Sequence, residues 1–148
     1  MIPRAPLLVL PAIVLLVAAC GAATTATPSP TAVATGPLVV EVKLTDDLRM
    51  APPSLTVKAG QAIHFVVANA GVLEHEFFLG DVAAQMAHAE EMMGMPGMGH
   101  DEPNGIGMPA GMTRTLDYMF AAPGAYEAGC HVNDHYAAGM KMVITVEP

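Results

Sequence analysis

The sequence predicts an all-β fold, a Greek-key β-sandwich of about seven strands that carries one methionine-rich, partly helical insertion. Three observations lead to this class. Short segments from residue 38 onward alternate apolar and polar residues, as half-buried strands do. Turn signals rich in glycine, proline, asparagine and aspartate separate these segments. Only residues 80–111 interrupt the pattern with a long stretch that does not alternate.

The first 19 residues form an apolar segment with a single positive charge. Arg4 precedes an apolar run over residues 7–19, which is short for a membrane span, and Val17-Ala18-Ala19-Cys20 follows the pattern of a cleavage site. This ending resembles the lipobox of bacterial lipoproteins, which implies cleavage before Cys20, lipidation of that cysteine, and an extracytoplasmic domain anchored to a bacterial membrane, in the periplasm or at the cell surface. The alternative is an ordinary signal peptide or anchor with an incidental cysteine.

Residues 20–37 are rich in alanine, threonine and proline and carry no charge. Such a composition is typical of a flexible tether. We therefore expect the tether to hold the folded domain, residues 38–148, within reach of the membrane.

The chain is acidic, with a formal net charge of −8. Because phosphate recognition needs a basic surface, this balance argues against a nucleic-acid partner. It is compatible with a basic protein partner or with cation capture. We expect a monomer.

Each predicted strand is a short alternating or apolar run that ends at a turn. The third strand, for example, carries Ile63, Phe65 and Val67 on one face. In the fourth, His75 shares a face with Phe77, and Glu76 points the other way. The predicted strands span residues 38–44, 54–58, 61–69, 74–79, 112–120, 125–129 and 140–146.

The insertion, residues 80–111, is rich in methionine, glycine, proline and acidic residues. Its first part predicts a helix over residues 81–93, because Asp81 is a favourable N-cap and good helix formers follow it. After Gly94 the glycines and prolines predict irregular structure. The run of residues 92–100, Met-Met-Gly-Met-Pro-Gly-Met-Gly-His, is expected to be too loose to pack as a core.

The candidate site lies in the loop before the last strand. Cys130, His135 and Met140 are spaced Cys-x4-His-x4-Met, and a copper site with a trigonal plane of two imidazoles and a thiolate plus a weak axial thioether needs these donors. A second imidazole has to come from elsewhere in the chain. His75, which opens a strand after a turn, is favoured over His64, which lies in the middle of a strand.

This loop resembles that of the cupredoxin (type 1, or blue, copper) family, which includes plastocyanin, azurin and auracyanin. The resemblance implies a cupredoxin-like sandwich with one copper ion held by His75, Cys130, His135 and Met140. It also implies a carrier of single electrons, through Cu(II) and Cu(I), to a redox protein partner. An enzymatic function is not expected, since the sequence shows neither a substrate-pocket motif nor histidines for a catalytic copper. Many cupredoxins have asparagine, which ties the ligand loops together, where this chain has Glu76.

The insertion suggests a second function, because thioethers and imidazoles are ligands for Cu(I). It resembles the methionine-rich segments of bacterial copper-resistance proteins. This supports an alternative function, extracytoplasmic copper tolerance through sequestration or trafficking of copper. The other interpretation of the insertion is an adaptable docking surface or a lid over the copper site. The candidate residues for a second Cu(I) site are Met86, His88, Met92, Met93, Met95, Met98 and His100.

Two further points concern the role of His131 and the function of the whole domain. His131 follows Cys130 directly, and neighbours on an extended backbone point to opposite sides, so we expect His131 to support the site from outside or to lie at the surface. The alternative for this residue is a role in a second metal site. A β-sandwich interaction domain with coincidental ligand spacing would instead leave the Cys130 thiol free to react after copper is added.

Overall fold

Two sheets are built mostly from the alternating segments, as the sequence predicts. A computed structural model of the protein describes residues 36–94 and 99–148. Within them the chain forms nine strands, one α-helix (α1, Val82–Met93) and one short 3-10 helix (Val132–Asp134). The strands are β1 (Leu38–Thr45), β2 (Arg49–Ala51), β3 (Ser54–Lys58), β4 (Ile63–Asn69), β5 (His75–Gly80), β6 (Gly105–Met108), β7 (Thr113–Tyr118), β8 (Gly124–Gly129) and β9 (Lys141–Glu147).

The sheet order explains how distant segments meet. One sheet has four strands in the order β2-β1-β4-β7, and the other has five in the order β3-β9-β8-β5-β6. The β1–β4 and β3–β9 pairs are parallel, and the other pairs are antiparallel. Because β5 and β8 are neighbours, the start of β5 lies beside the loop that follows β8. The predicted all-β sandwich is confirmed.

The core lies between the sheets and follows the two-residue period of the strands. In β4, Ile63, Phe65 and Val67 are buried and the residues between them are partly exposed. The Phe65 ring packs against that of Phe77 in the opposite sheet, with centroids 5.3 Å apart. Burial of each such side chain contributes about 1.5–3 kcal/mol.

Strand β5 differs because all of its residues are buried, on both faces of the sheet. Phe77 and Leu79 belong to the core between the sheets. The other face is covered by α1: Phe78 stacks on a helix side chain, and a Cβ atom at Gly80 would lie only 2.7 Å from the Cβ of Ala84. Glycine at position 80 therefore lets the helix approach the sheet closely.

Helix α1 begins as the sequence predicts. The Asp81 carboxylate accepts a hydrogen bond from the backbone N–H of Ala84 at 2.8 Å, which satisfies one free donor of the first turn. Gln85, His88 and Met92 lie on its buried face.

Two predictions about the strands and the insertion were wrong. The chain after Gly94 is not wholly irregular, because Gly105–Met108 forms β6 and pairs with the free edge of β5. Nor does the run of residues 92–100 lie wholly outside the core, since Met92 belongs to it. Glycines that suggested a loop instead permit close packing: a Cβ at Gly107 would lie 2.6 Å from the backbone oxygen of Gly99. The other strand that sequence reasoning missed is the three-residue β2, which pairs with β1.

The signal peptide of residues 1–19, the lipidation site Cys20 and residues 20–35 of the tether lie outside the described residues, as do Met95 and Met98. None of the helices in the described part of the chain combines the length and the hydropathy that a membrane span requires.

Candidate metal centre

Three of the predicted ligands meet where β5 begins and β8 ends. Donor atoms of His75, Cys130 and His135 all lie within 4.8 Å of one another. The Cys130 Sγ atom is 3.5 Å from Nδ1 of His135 and 3.8 Å from Nδ1 of His75. All three side chains are buried, and His135 is the most exposed of them at 8%. The pairing of β5 with β8 thus brings together residues that are 55 positions apart in sequence.

The loop between β8 and β9 is closed by its own backbone hydrogen bonds. Cys130 N–H donates to the carbonyl of Met140 at 3.3 Å, and Met140 N–H donates to the carbonyl of His135 at 2.9 Å. Asn133 and Asp134 have positive φ angles of 49° and 62°, which asparagine and aspartate tolerate better than most residues. These bonds place the backbone of Met140, whose side chain is fully buried, beside the backbones of Cys130 and His135.

Glu76 links the two segments that carry the ligands. Its backbone N–H donates to Cys130 Sγ at 3.3 Å, and its carboxylate accepts from the backbone N–H of His131 at 3.3 Å. The departure from asparagine at this position therefore does not leave the ligand segments unconnected. A buried carboxylate makes the connection in this chain.

Asp46 holds the turn before β5 and was not predicted from the sequence. Its carboxylate accepts hydrogen bonds from the backbone N–H groups of Val72 and Leu73, which lowers its pKa. One of its oxygens lies 3.6 Å from Nε2 of His75. Asp46 thus orders the turn that delivers the first imidazole, and no short sequence motif marks such a distant contact.

The electrostatics of the donors fit a bound cation. Burial raises the pKa of the Cys130 thiol to about 12, and burial lowers the pKa of both His75 and His135. The imidazoles therefore stay neutral and keep a lone pair for a metal, while a bound cation is what would stabilise the thiolate. Two imidazole nitrogens, a thiol and a buried thioether match the donor set of a type 1 copper site.

The imidazoles of His64 and His131 are not part of the donor cluster around the thiol. The His64 imidazole lies between β4 and β7 on the outer face of the four-stranded sheet, with Nδ1 2.6 Å from Asp117 Oδ1. The His131 imidazole is buried beneath α1, with Nε2 2.7 Å from Gln85 Oε1. Burial lowers the pKa of His131 to about 4, so it is a neutral packing residue.

The candidate ligands in the insertion differ in exposure and in whether they lie close to one another. Met86 and Met93 are exposed at 64% and 72%, whereas Met92 is buried. His88 and His100 do come together, with ring centroids 5.5 Å apart, and the Glu102 carboxylate joins them so that one donor atom from each residue lies within 4.8 Å of the others. Glu102 was missed by sequence reasoning, although the His-x-Glu spacing of residues 100–102 was a usable signal.

Comparisons with known proteins agree with this centre. Residues 38–147 match the family model described as copper binding proteins, plastocyanin/azurin family. The copper-resistant cuproprotein CopI of Rubrivivax gelatinosus is 40% identical over 101 residues, which are 68% of this chain and 61% of that protein, so the match spans about three-fifths of the relative. The CopI protein of Pseudomonas aeruginosa is 31% identical over 138 residues, covering 74% of this chain and 76% of the relative.

Solved structures of copper proteins share the fold of this chain. Dithionite-reduced auracyanin from Roseiflexus castenholzii superposes with a TM-score of 0.67 at 26% identity, covering 76% of this chain and all of that one. Auracyanin B superposes with a TM-score of 0.60 at 26% identity, covering 78% of this chain and 94% of that one. With its β-sandwich and its buried thiol and imidazoles, the chain belongs to the plastocyanin/azurin family of copper-binding proteins.

Proposed function

We propose that the protein provides copper tolerance outside the cytoplasm by holding copper at His75, Cys130, His135 and Met140. The observation that carries this proposal is the 40% identity to a copper-resistant cuproprotein, which extends over 68% of the chain. The geometry supports it, because the donors are buried, prearranged and linked by backbone hydrogen bonds. When bound, copper supplies a one-electron Cu(II)/Cu(I) couple, and the two imidazoles, thiol and thioether of this chain suit both oxidation states.

The proposal includes the location. A lipid on Cys20 would keep the domain at the outer face of a bacterial membrane, where excess copper is encountered. A tether of residues 20–37 would leave the copper centre free to meet incoming metal. No enzymatic step and no second copy of the chain is needed for this function.

A second candidate function is one-electron transfer to a redox protein partner. It is favoured by the shared architecture with auracyanin and by the position of His135, the most exposed of the three clustered ligands. A preformed set of donors keeps the geometry similar in both oxidation states, which suits electron transfer.

The first test combines spectroscopy with growth in copper. Purified protein titrated with Cu(II) is expected to develop an intense thiolate-to-copper band that saturates at one equivalent, and Cys130→Ser abolishes it. A copper-sensitive bacterial strain that expresses the protein is expected to grow at higher copper concentrations than one that expresses Cys130→Ser. His64→Gln is the matched control, because it alters a histidine outside the centre.

Two outcomes would contradict copper tolerance. Equal protection by the wild type and Cys130→Ser would show that the centre is not involved. A normal copper band without any protection against copper would also contradict copper tolerance. It would favour electron transfer if bacterial membranes then reduce the copper centre at a rate that depends on a respiratory substrate.

A further inference from the structure

A second cluster of metal-binding side chains lies on the opposite face of β5 from the thiol. His88 projects from α1, and His100 and Glu102 lie in the segment that leads into β6. The Nδ1 atom of His88 is 3.5 Å from Glu102 Oε1, and the Nε2 atom of His100 is 2.6 Å from the same oxygen. Three potential ligands thus converge on one point, from two segments of the insertion.

His88 is held as metal-binding histidines are held. Its Nε2 atom lies 3.0 Å from the buried Glu76 carboxylate, and its ring stacks on Phe78 with centroids 3.9 Å apart and planes at 1°. A carboxylate on one ring nitrogen fixes the proton there and leaves the lone pair on the other nitrogen, an arrangement that commonly orients metal ligands. The free nitrogen here, Nδ1, faces Glu102.

This nitrogen has no hydrogen-bond partner among residues 36–94 and 99–148, although the His88 side chain is only 2% exposed. Burying a polar atom without a partner is costly. The Nδ1 atom of His100 is in the same condition. An unpartnered, buried imidazole nitrogen that faces Glu102, as Nδ1 of His88 does, indicates a ligand.

The charges around the cluster favour a cation. The carboxylates of Glu76, Glu102 and Glu91 lie 3.0, 3.5 and 3.8 Å from the nitrogens of His88. The side chains of His100 and Glu102 are 33% and 25% exposed, so an ion can enter from solvent without opening the core.

We propose that His88, His100 and Glu102 form a second metal site, distinct from the thiol centre, that binds Cu(II). Two imidazoles and a carboxylate are nitrogen and oxygen donors, for which Cu(II) has the highest affinity among the divalent first-row metals. Met86 and Met93 are exposed at 64% and 72%, whereas His88 lies on the buried face of α1, so the proposed site does not include their thioethers. The proposal of this second site does not depend on whether the thiol centre serves copper tolerance or electron transfer.

The experiment is a titration of the purified full chain with Cu(II), followed by electron paramagnetic resonance and visible spectroscopy. The first equivalent is expected to give the thiolate band and the narrow copper hyperfine splitting of a type 1 centre. A second equivalent is expected to give a wide copper splitting with nitrogen coupling and no new intense band, as nitrogen and oxygen donors would produce. Cys130→Ser is expected to remove the first signal and leave the second.

The double variant His100→Gln/Glu102→Gln is expected to weaken the second signal at least tenfold and to leave the first unchanged, which also reports that the variant is folded. His100→Gln alone, at a partly exposed position, is the milder version. His64→Gln/Asp117→Asn is the matched control, because it removes an exposed histidine–carboxylate pair of similar spacing from the other sheet.

Three results would overturn the proposal. A second signal that survives in His100→Gln/Glu102→Gln would place the ion elsewhere. A second signal lost in the His64 control would identify surface binding. Saturation at one equivalent would mean that a proton on His88, held by the surrounding carboxylates, occupies the position assigned here to a metal.

Discussion

Glu76 contacts both groups of candidate metal ligands. One carboxylate oxygen accepts from the backbone beside Cys130, and the other lies against His88 on the far face of the sheet. The carboxylate is fully buried. Burial lowers the pKa of His88, but Glu76 and the acidic neighbours raise it in net. In the metal-free protein a second ring proton, on Nδ1, would therefore balance the carboxylate, and the metal proposed above would displace that proton. A buried charge is stable only when it is paired and hydrogen-bonded in this way.

Replacing Glu76 with alanine is expected to destabilise the metal-free protein by about 3 kcal/mol, because His88 and the N–H of His131 lose their acceptor inside the protein. Urea unfolding measures the change. Glu41→Ala, at an exposed position of β1, is the control and is expected to change stability by less than about 0.5 kcal/mol. Equal effects of the two substitutions would contradict the role given to Glu76.

Glu127 is expected to make stability depend on pH. Burial raises the pKa of Glu127, but hydrogen bonds from Lys141 and Tyr136 lower it by more than burial raises it. The net pKa therefore lies below the usual 4.5. A lowered carboxyl pKa contributes stability that is present above pH 4.5 and is lost as the pH falls through the folded-state value. Glu127→Gln should therefore cost about 1–2 kcal/mol at pH 7, with a smaller difference in acid. A difference from wild type that is the same at pH 7 and pH 3 in urea unfolding would refute this account.

At the scale of elements, α1 is what distinguishes this chain from a plain sandwich. The helix covers the outer face of β5, and Gln85 donates from Nε2 to the carbonyls of Phe78 and Glu127, which lie on neighbouring strands. Its position also brings His88 over Glu76. The helix therefore acts as a structural cover and as the support of the second cluster.

Removing the helix cap through Asp81→Ala is expected to cost about 1 kcal/mol, because the first turn loses the acceptor of the Ala84 N–H. Asp81→Ser retains an oxygen acceptor and should restore most of the loss. Thermal unfolding distinguishes the variants, and a similar loss in both would mean that the cap is not what stabilises the helix start.

At the scale of the whole molecule, most of the architecture could be predicted from alternation and turn residues. The two-residue period identifies β4 and β9, and Asp81 identifies the start of α1. Strand β6 could not be predicted, since Gly-Ile-Gly-Met has little strand propensity and is held by the free edge of β5. Asp46 and Glu102 were missed for a related reason: each acts through contacts that appear only after distant segments meet.

Copper is expected to stabilise the folded protein as a whole, because the ligands are gathered from positions 75 to 140 and are dispersed on unfolding. Free copper at one hundred times its dissociation constant should add about 2.7 kcal/mol to the free energy of unfolding. Cys130→Ser should lose the part of this gain that belongs to the thiol centre, and a chelator should reverse it in the wild type. Unfolding curves that do not respond to copper would contradict a folded-state site.

His75 and Glu76 are adjacent residues of β5, and their side chains lie on opposite faces of the strand. The thiol centre and the cluster of His88, His100 and Glu102 therefore lie on opposite sides of the same strand. A divalent ion held by His88 would place positive charge behind the thiol centre and would disfavour Cu(II) there relative to Cu(I), which carries one charge less. Filling the outer cluster with redox-inactive Zn(II) should therefore raise the reduction potential of copper in the inner one. By thermodynamic reciprocity, reduction of the inner copper should tighten metal binding at the outer cluster. One strand would then couple the oxidation state of one metal to the retention of another.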